Sequence, residues 1–302
     1  MAPPLHLLSD HMPFTVQSAI VRVLSWNILF RMCFHQEREY FNNGFGCSNE
    51  SESYYQNRLM HIMTHIARAA KRENMPFICL QECPSGQYFK AQLETLSTNS
   101  PYVALRGDRN NLVTLYDANQ YAVDEALTVS AQSTELFGGL KERIIASVFL
   151  QKVTKKKILL INVHAKFNKP VVNDIEHFYL KMKALGVDDL LLVGDFNRDL
   201  TSASDTHSLH DVSEVLNQQN CLPNSLCAYR FPQSSFIALY ERESQKVRIE
   251  VETRDGAIAS FPLELSCMAN INQAEDSLLR EYPLSLFLQN LPPGFLAGLV
   301  FG

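Results

Sequence analysis

Residues 190–199 read Leu-Leu-Leu-Val-Gly-Asp-Phe-Asn-Arg-Asp, and the reading of this stretch decides the fold. Four apolar residues run into Gly194, the composition of a buried strand. Asp195 and Asn197 follow, two apart on an extended segment, so their side chains point the same way. That pairing suits ester hydrolysis. A carboxylate can take a proton from attacking water, while a neutral amide orients that water without adding charge.

Three other apolar runs end in the same manner. They are VLSWNIL (23–29), FICLQEC (77–83) and LLINVHAKF (159–167), which carry Trp26-Asn27, Glu82 and His164 at or near their C-terminal ends. Each alone is ordinary, since an Asn after a strand is usually a turn former. Strand ends that meet at one rim of a sheet are a usual place to build a site. Glu82 is a hard oxygen donor suited to Mg²⁺ or Mn²⁺, which takes few carboxylates and several waters. The ERIIASVFL segment places Arg143 ahead of the His164 strand, where a guanidinium can make a forked phosphate contact.

Between these segments the periodicity predicts strands at 20–29, 77–81, 111–116, 144–153, 157–164 and 189–193, with two more at 236–240 and 247–252. Helices are predicted at 55–73 and 172–185. On the first, Leu59, Ile62, Met63, Ile66 and Ala70 make one apolar face, with Arg58, Arg68, Lys71 and Arg72 largely elsewhere. Residues 36–53, rich in Asn, Gly, Ser and Glu, read as an exposed insertion. Many strands with few alternating helices point to two packed mixed sheets flanked by helices.

In this order, and with these neighbours, the motifs resemble the endonuclease/exonuclease/phosphatase superfamily. Its members include DNase I-like nucleases, abasic-site endonucleases, deadenylases, neutral sphingomyelinases and inositol polyphosphate 5-phosphatases. The family order is W-N, L-Q-E, a strand ending in H, then G-D-F-N. This chain carries it as Trp26-Asn27, Leu80-Gln81-Glu82, His164 and Gly194-Asp195-Phe196-Asn197. The resemblance covers about residues 8–199 and implies a DNase I-like four-layer α/β/β/α sandwich. The family closes on S-D-H-x-P, whereas here Ser9-Asp10-His11-Met12-Pro13 stands at the front. Residues 14–16 and 20–24 then fit a hairpin that joins the family's last strand to its first. The chain is therefore read as a circular permutant, which close, exposed termini tolerate.

The resemblance also implies roles. His11 contacts the scissile phosphate, with Asp10 orienting it or helping to hold the metal. Asn27 binds near the phosphate or metal, Glu82 is the principal metal ligand, Asp195 is the base and Asn197 its partner. His164 takes the position of a phosphate-contacting or acid group. Relatives carry a further Asp that pairs with the catalytic histidine; the nearest candidates here are Glu250 and Asp255.

The chain has 302 residues, read as one domain with an apolar tail at 282–302. Its net charge of −5, from 27 Lys+Arg against 32 Asp+Glu, argues against a broad basic surface for non-specific nucleic-acid binding. It leaves room for a nuclease that grips a few phosphates with a cation's help. The seven cysteines, with no C-x-x-C pair, suggest reduced thiols and no structural zinc. His61 and His65 lack the glutamate of an H-E-x-x-H motif. No secretory leader pattern and no continuous apolar span is read, so a soluble, cytoplasmic protein is expected, with non-classical export left open. The expected activity is metal-dependent phosphodiester hydrolysis, with nucleic acid as substrate. Two alternatives stand beside it: a phosphoinositide, inositol-phosphate or sphingomyelin-type hydrolase, and a catalytically silent binding module on the same scaffold.

Overall fold

A computed structural model describes residues 9, 11, 13–29, 32–35, 40–43, 52–72, 74–84, 87–98, 101–106, 111–132, 143–165, 175–197, 210–211, 226–230, 235–241, 246–252, 254–267 and 282–283. In chain order the first elements are β1 (Phe14–Gln17), β2 (Arg22–Asn27), β3 (Met32–His35), β4 (Tyr40–Asn43), α1 (Glu52–Arg72), β5 (Phe77–Gln81) and α2 (Gln87–Thr98). Then come β6 (Tyr102–Arg106), β7 (Val113–Asp117), β8 (Tyr121–Val123), α3 (Glu125–Gln132), β9 (Ile144–Gln151), β10 (Lys157–His164), α4 (Ile175–Ala184) and β11 (Asp189–Asp195). The last are β12 (His210–Asp211), β13 (Cys227–Arg230), β14 (Ser235–Glu241), β15 (Lys246–Glu252), β16 (Asp255–Ala259), β17 (Glu264–Cys267) and β18 (Tyr282–Pro283).

Two mixed sheets form the core. One has the order β17-β1-β2-β5-β7-β6, the other β12-β13-β16-β11-β10-β9-β8. Strand alternation explains how they pack. Phe14, Val16, Val23, Phe77 and Cys79 of the first sheet meet Phe149, Ile158, Leu160, Leu191, Val193 and Ala257 of the second in one apolar layer. The alternate residues face outward. Leu24, Trp26, Ile78 and Leu80 pack under α1 and α2, and Leu159, Ile161, Leu190 and Leu192 pack under α3 and α4. The result is the expected α/β/β/α sandwich.

The predicted hairpin is present. β1 pairs antiparallel with β2, Phe14 opposite Ser25 and Gln17 opposite Arg22, and β17 flanks β1 on its other edge. Gly194 lies opposite Val163 in the parallel β10–β11 pair at φ +145°, and a Cβ there would sit 2.1 Å from the Val163 carbonyl oxygen. Only glycine fits that close approach.

A third sheet departs from the two-sheet expectation. It has the order β18-β15-β14-β4-β3, and β4 falls inside the stretch read as an exposed insertion. β4 pairs with β14, Phe41 opposite Ala238, a partner far away in sequence. Local pattern cannot announce such a pairing. Arg58 also differs from expectation. It is buried on α1, donates to the Ile28 carbonyl at 2.9 Å and lies over the Tyr55 ring. Residues 284–302, most of the apolar tail, lie outside the described residues.

Candidate active site

The alternation that builds the core also builds the site. Asn27, Asp195 and Asp255 continue the inward-facing rows of β2, β11 and β16, and His164 continues that of β10. All four reach the same rim, because β2, β10 and β11 end there and β16 starts there, with Asp195 opposite Asp255. Glu82 arrives differently. Inward residues of β5 are Phe77, Cys79 and Gln81, so continued alternation would send Glu82 toward the helices. A left-handed backbone at Glu82, φ +54°, turns it back over the rim. Such a conformation in a non-glycine residue costs about 1 kcal/mol or more and clusters at functional sites.

One atom organises the cluster. Asp195 Oδ2 lies 3.0 Å from Asn27 Nδ2, 3.4 Å from Asn197 Nδ2, 3.5 Å from His164 Nε2 and 3.7 Å from His11 Nε2. Its other oxygen accepts the Asn197 backbone N–H at 2.7 Å. Asn27 Nδ2 also donates to Glu82 Oε1 at 3.1 Å, so one amide bridges the two carboxylates. His164 Nε2 is 3.6 Å from the same Glu82 oxygen. Asn197 Nδ2 is anchored on the Ala165 carbonyl at 2.9 Å.

His11 is brought in from outside the named strands. The Trp26 indole donates to its carbonyl at 3.0 Å, Ser9 Oγ accepts its N–H at 3.1 Å, and a bridge joins it to Ser235. Ser9 Oγ in turn donates to the Asn27 carbonyl at 2.6 Å. The imidazole Nδ1 lies 2.7 Å from Asp255 Oδ2. A carboxylate can only accept, so Nδ1 carries a proton and Nε2 faces Asp195. Of the two candidate partners for His11, Asp255 is therefore in contact with it, and Glu250 belongs to β15 of the third sheet. Asp10 lies outside the described residues.

Arg143 stands beside His164 at the rim. Its Nη1 is 3.5 Å from His164 Nδ1. A guanidinium only donates, which leaves the His164 ring proton on Nε2, toward Glu82 and Asp195. Cys83, beside Glu82, is a free buried thiol pushed up by burial, and burial lifts Cys79 to about 12; both are packed groups rather than nucleophiles.

Glu82, Asp195 and Asp255 are 7%, 1% and 2% exposed. Three carboxylates this buried need compensation. Among the described residues, two groups of side chains lie close enough together to surround a cation: Glu82, His164 and Asp195, and His11, Asp195 and Asp255. The second contains the 2.7 Å His11–Asp255 contact, a formed hydrogen bond. The first sits at the more open edge, where His164 is partly exposed; its carboxylates are the hard oxygens Mg²⁺ and Mn²⁺ prefer, and the His164 Nε2–H is a donor beside them rather than a ligand.

No family model matches the sequence, and no curated protein matches it. Solved structures do. The catalytic domain of human Nocturnin is similar at 15% identity, over 82% of this chain and 87% of that one, with a TM-score of 0.45. ANGEL2, described as a 2′,3′-cyclic phosphatase, is similar at 16% identity over 86% and 88%, TM-score 0.44. An endonuclease/exonuclease/phosphatase protein from Bacteroides vulgatus is similar at 13% identity over 82% and 99%, TM-score 0.42. None of these likenesses assigns a substrate to this chain. Among the described residues no helix is long and apolar enough to cross a membrane.

Proposed function

We propose that the chain is a divalent-metal-dependent phosphoesterase that hydrolyses a phosphodiester, with nucleic acid as its substrate. The observation that carries this reading is the ring of Asn27, Asn197, His164 and His11 nitrogens around Asp195 Oδ2. Glu82 supplies the hard oxygens that fit Mg²⁺ or Mn²⁺, and Asn27 holds it at a fixed spacing from the Asp195 base. By its place in the histidine motif, Asp10 is assigned to the same cation site. When bound, such a cation polarises a phosphoryl oxygen and stabilises the leaving oxygen.

The chain's own groups supply the rest. Asp195 accepts the proton of the attacking water, and Asn197 fixes that carboxylate through two contacts. His11, oriented by Asp255, presents Nε2 to the phosphate. His164 presents an Nε2 proton, kept there by Arg143, to a phosphate oxygen. The position of β1 between β17 and β2 supports a circular permutation that carries the histidine motif at the front of a single domain.

A hydrolase of phosphoinositide or sphingomyelin head groups is the second reading, and a silent binding module the third. The His11–Asp255 contact speaks against the third, because it supplies the carboxylate the sequence left open. Incubation with plasmid, RNA, phosphoinositide micelles and sphingomyelin, each with Mg²⁺ or EDTA, separates them. Cleavage of plasmid or RNA that EDTA abolishes is expected. Cleavage that EDTA leaves untouched refutes the metal assignment, and folded protein inert on every substrate favours the binding module.

A further inference from the structure

One layer beneath the candidate site, the gap between the two sheets turns polar. Along β2, β5, β7 and β10 the inward rows pass from Val23, Phe77, Tyr116 and Leu160 to Ser25, Gln81, Thr114 and Asn162. These four polar residues are no more than 2% exposed. Asn162 Nδ2 donates across the gap to the Leu80 carbonyl at 3.2 Å, the Val113 carbonyl at 3.0 Å and Thr114 Oγ1 at 3.3 Å. Its Oδ1 accepts from Gln81 Nε2 at 2.8 Å. Gln81 Nε2 also reaches the Cys79 carbonyl at 3.2 Å and Ser25 Oγ at 3.3 Å. One side chain of the second sheet is thereby fastened to two strands of the first, β5 and β7, and through Gln81 to Ser25 of β2.

Stability alone is a poor reason for this layer. Gln81 Oε1 is buried without a hydrogen-bond partner, and such an atom costs about 1–3 kcal/mol. At the same depth β11 carries Val193, an ordinary apolar filler. The two amides at the centre of the layer stand on the strands that lead to Glu82 and His164: Gln81 directly precedes Glu82, and Asn162 stands two residues before His164. Apolar packing is tolerant of small slips, whereas hydrogen bonds fix distance and direction.

We infer that Gln81 and Asn162 are positioning residues, an inter-sheet clamp that holds β5 against β10 so that Glu82 and His164 meet at one rim, the carboxylate at the cation site and the imidazole beside it. This rests on the reading of Glu82 as a cation ligand. The clamp acts first on Glu82 and His164, because the hydrogen bonds of Gln81 and Asn162 go to each other and to Ser25, Cys79, Leu80, Val113 and Thr114, and not to the His11–Asp255 pair.

The test pairs calorimetric titration of the full chain with Mn²⁺ and thermal melting. Asn162→Leu strands Gln81 and is expected to melt well below wild type. The double variant Gln81→Met with Asn162→Leu replaces both partners by apolar groups of similar shape, which recovers much of that loss. Its Mn²⁺ affinity is nevertheless expected to fall by about 10- to 100-fold, the usual range for lost outer-shell support. A merely structural role predicts that affinity returns together with melting temperature. Should the double variant not fold, Thr114→Val removes a single acceptor; Mn²⁺ binding weaker by about 3-fold or more supports the clamp, and unchanged binding overturns it. Wild-type protein that takes up no Mn²⁺ overturns the reading of Glu82 and this inference with it. Wild-type binding matched by the folded double variant overturns this inference alone.

Discussion

Asp255→Asn isolates the contact that sequence reasoning could not place. The substitution keeps size and shape but removes the charge that fixes the proton on His11 Nδ1, 2.7 Å away. Hydrogen bonds to charged groups contribute about 1.5–3 kcal/mol, which at 1.36 kcal/mol per decade corresponds to about 10- to 150-fold in rate. An asparagine can also turn its NH₂ toward Nδ1 and move the ring proton to Nε2, the wrong tautomer for the site; in a serine-protease triad that substitution removes about 10⁴-fold. The expected loss in kcat therefore lies between about 10- and 10,000-fold, measured under single-turnover conditions on the substrate cleaved by wild type. Trp26, the one tryptophan of the chain, reports in parallel, since its indole is bonded to the His11 carbonyl. Its emission should not change, and the melting temperature should move by less than about 5 °C. Wild-type turnover by Asp255→Asn with Trp26 undisturbed would refute the assignment of His11 and Asp255 as an acting pair.

Glu82→Gln keeps the hydrogen bond from Asn27 but halves the hard-oxygen character of the cation site; activity should drop by orders of magnitude with the fold intact, as read by melting and circular dichroism. Asp195→Ala and His11→Ala should do the same, and loss of folding instead would mark those residues as structural. Gly194→Ala places a methyl group 2.1 Å from the Val163 carbonyl oxygen, so denaturant unfolding should show a loss of about 3 kcal/mol or more; a loss under about 1 kcal/mol would contradict the close approach. Burial, with Arg68 and His61 adding to it, lowers His65 below its usual value. Between its unfolded value of about 6.5 and the lower folded one the unfolded state binds more protons, so stability should fall as pH falls through that window. His65→Gln should flatten that part of the stability profile.

Much of the site was legible because it follows strand alternation. An apolar run ending on Asn27, on His164 or on Asp195 states both where the strand stops and which face its polar end takes. The third sheet was not legible, since Phe41 of β4 finds Ala238 of β14 across almost two hundred intervening positions. Asp255 was only half visible. Its strand, Asp-Gly-Ala-Ile-Ala, is short and built of small residues, so hydrophobic pattern gives it little weight. The inward rank of Ala257 and Ala259 behind it was the available signal. Glu82 shows the opposite case: its motif was plain, but simple alternation points it the wrong way, and only the left-handed turn at that residue sets it over the rim. Arg58 was misjudged because a helical face was drawn from apolar residues alone, while a guanidinium can be buried when it serves a strand-end carbonyl.

The most direct test is a crystal structure of the protein soaked with Mn²⁺ and phosphate, with the cation located by its anomalous signal. The account predicts one cation at about 2.1 Å from a Glu82 carboxylate oxygen, with phosphate oxygens in hydrogen-bond reach of both His11 and His164. A cation bound elsewhere, or phosphate bound away from the two histidines in protein that still cleaves its substrate, would contradict it.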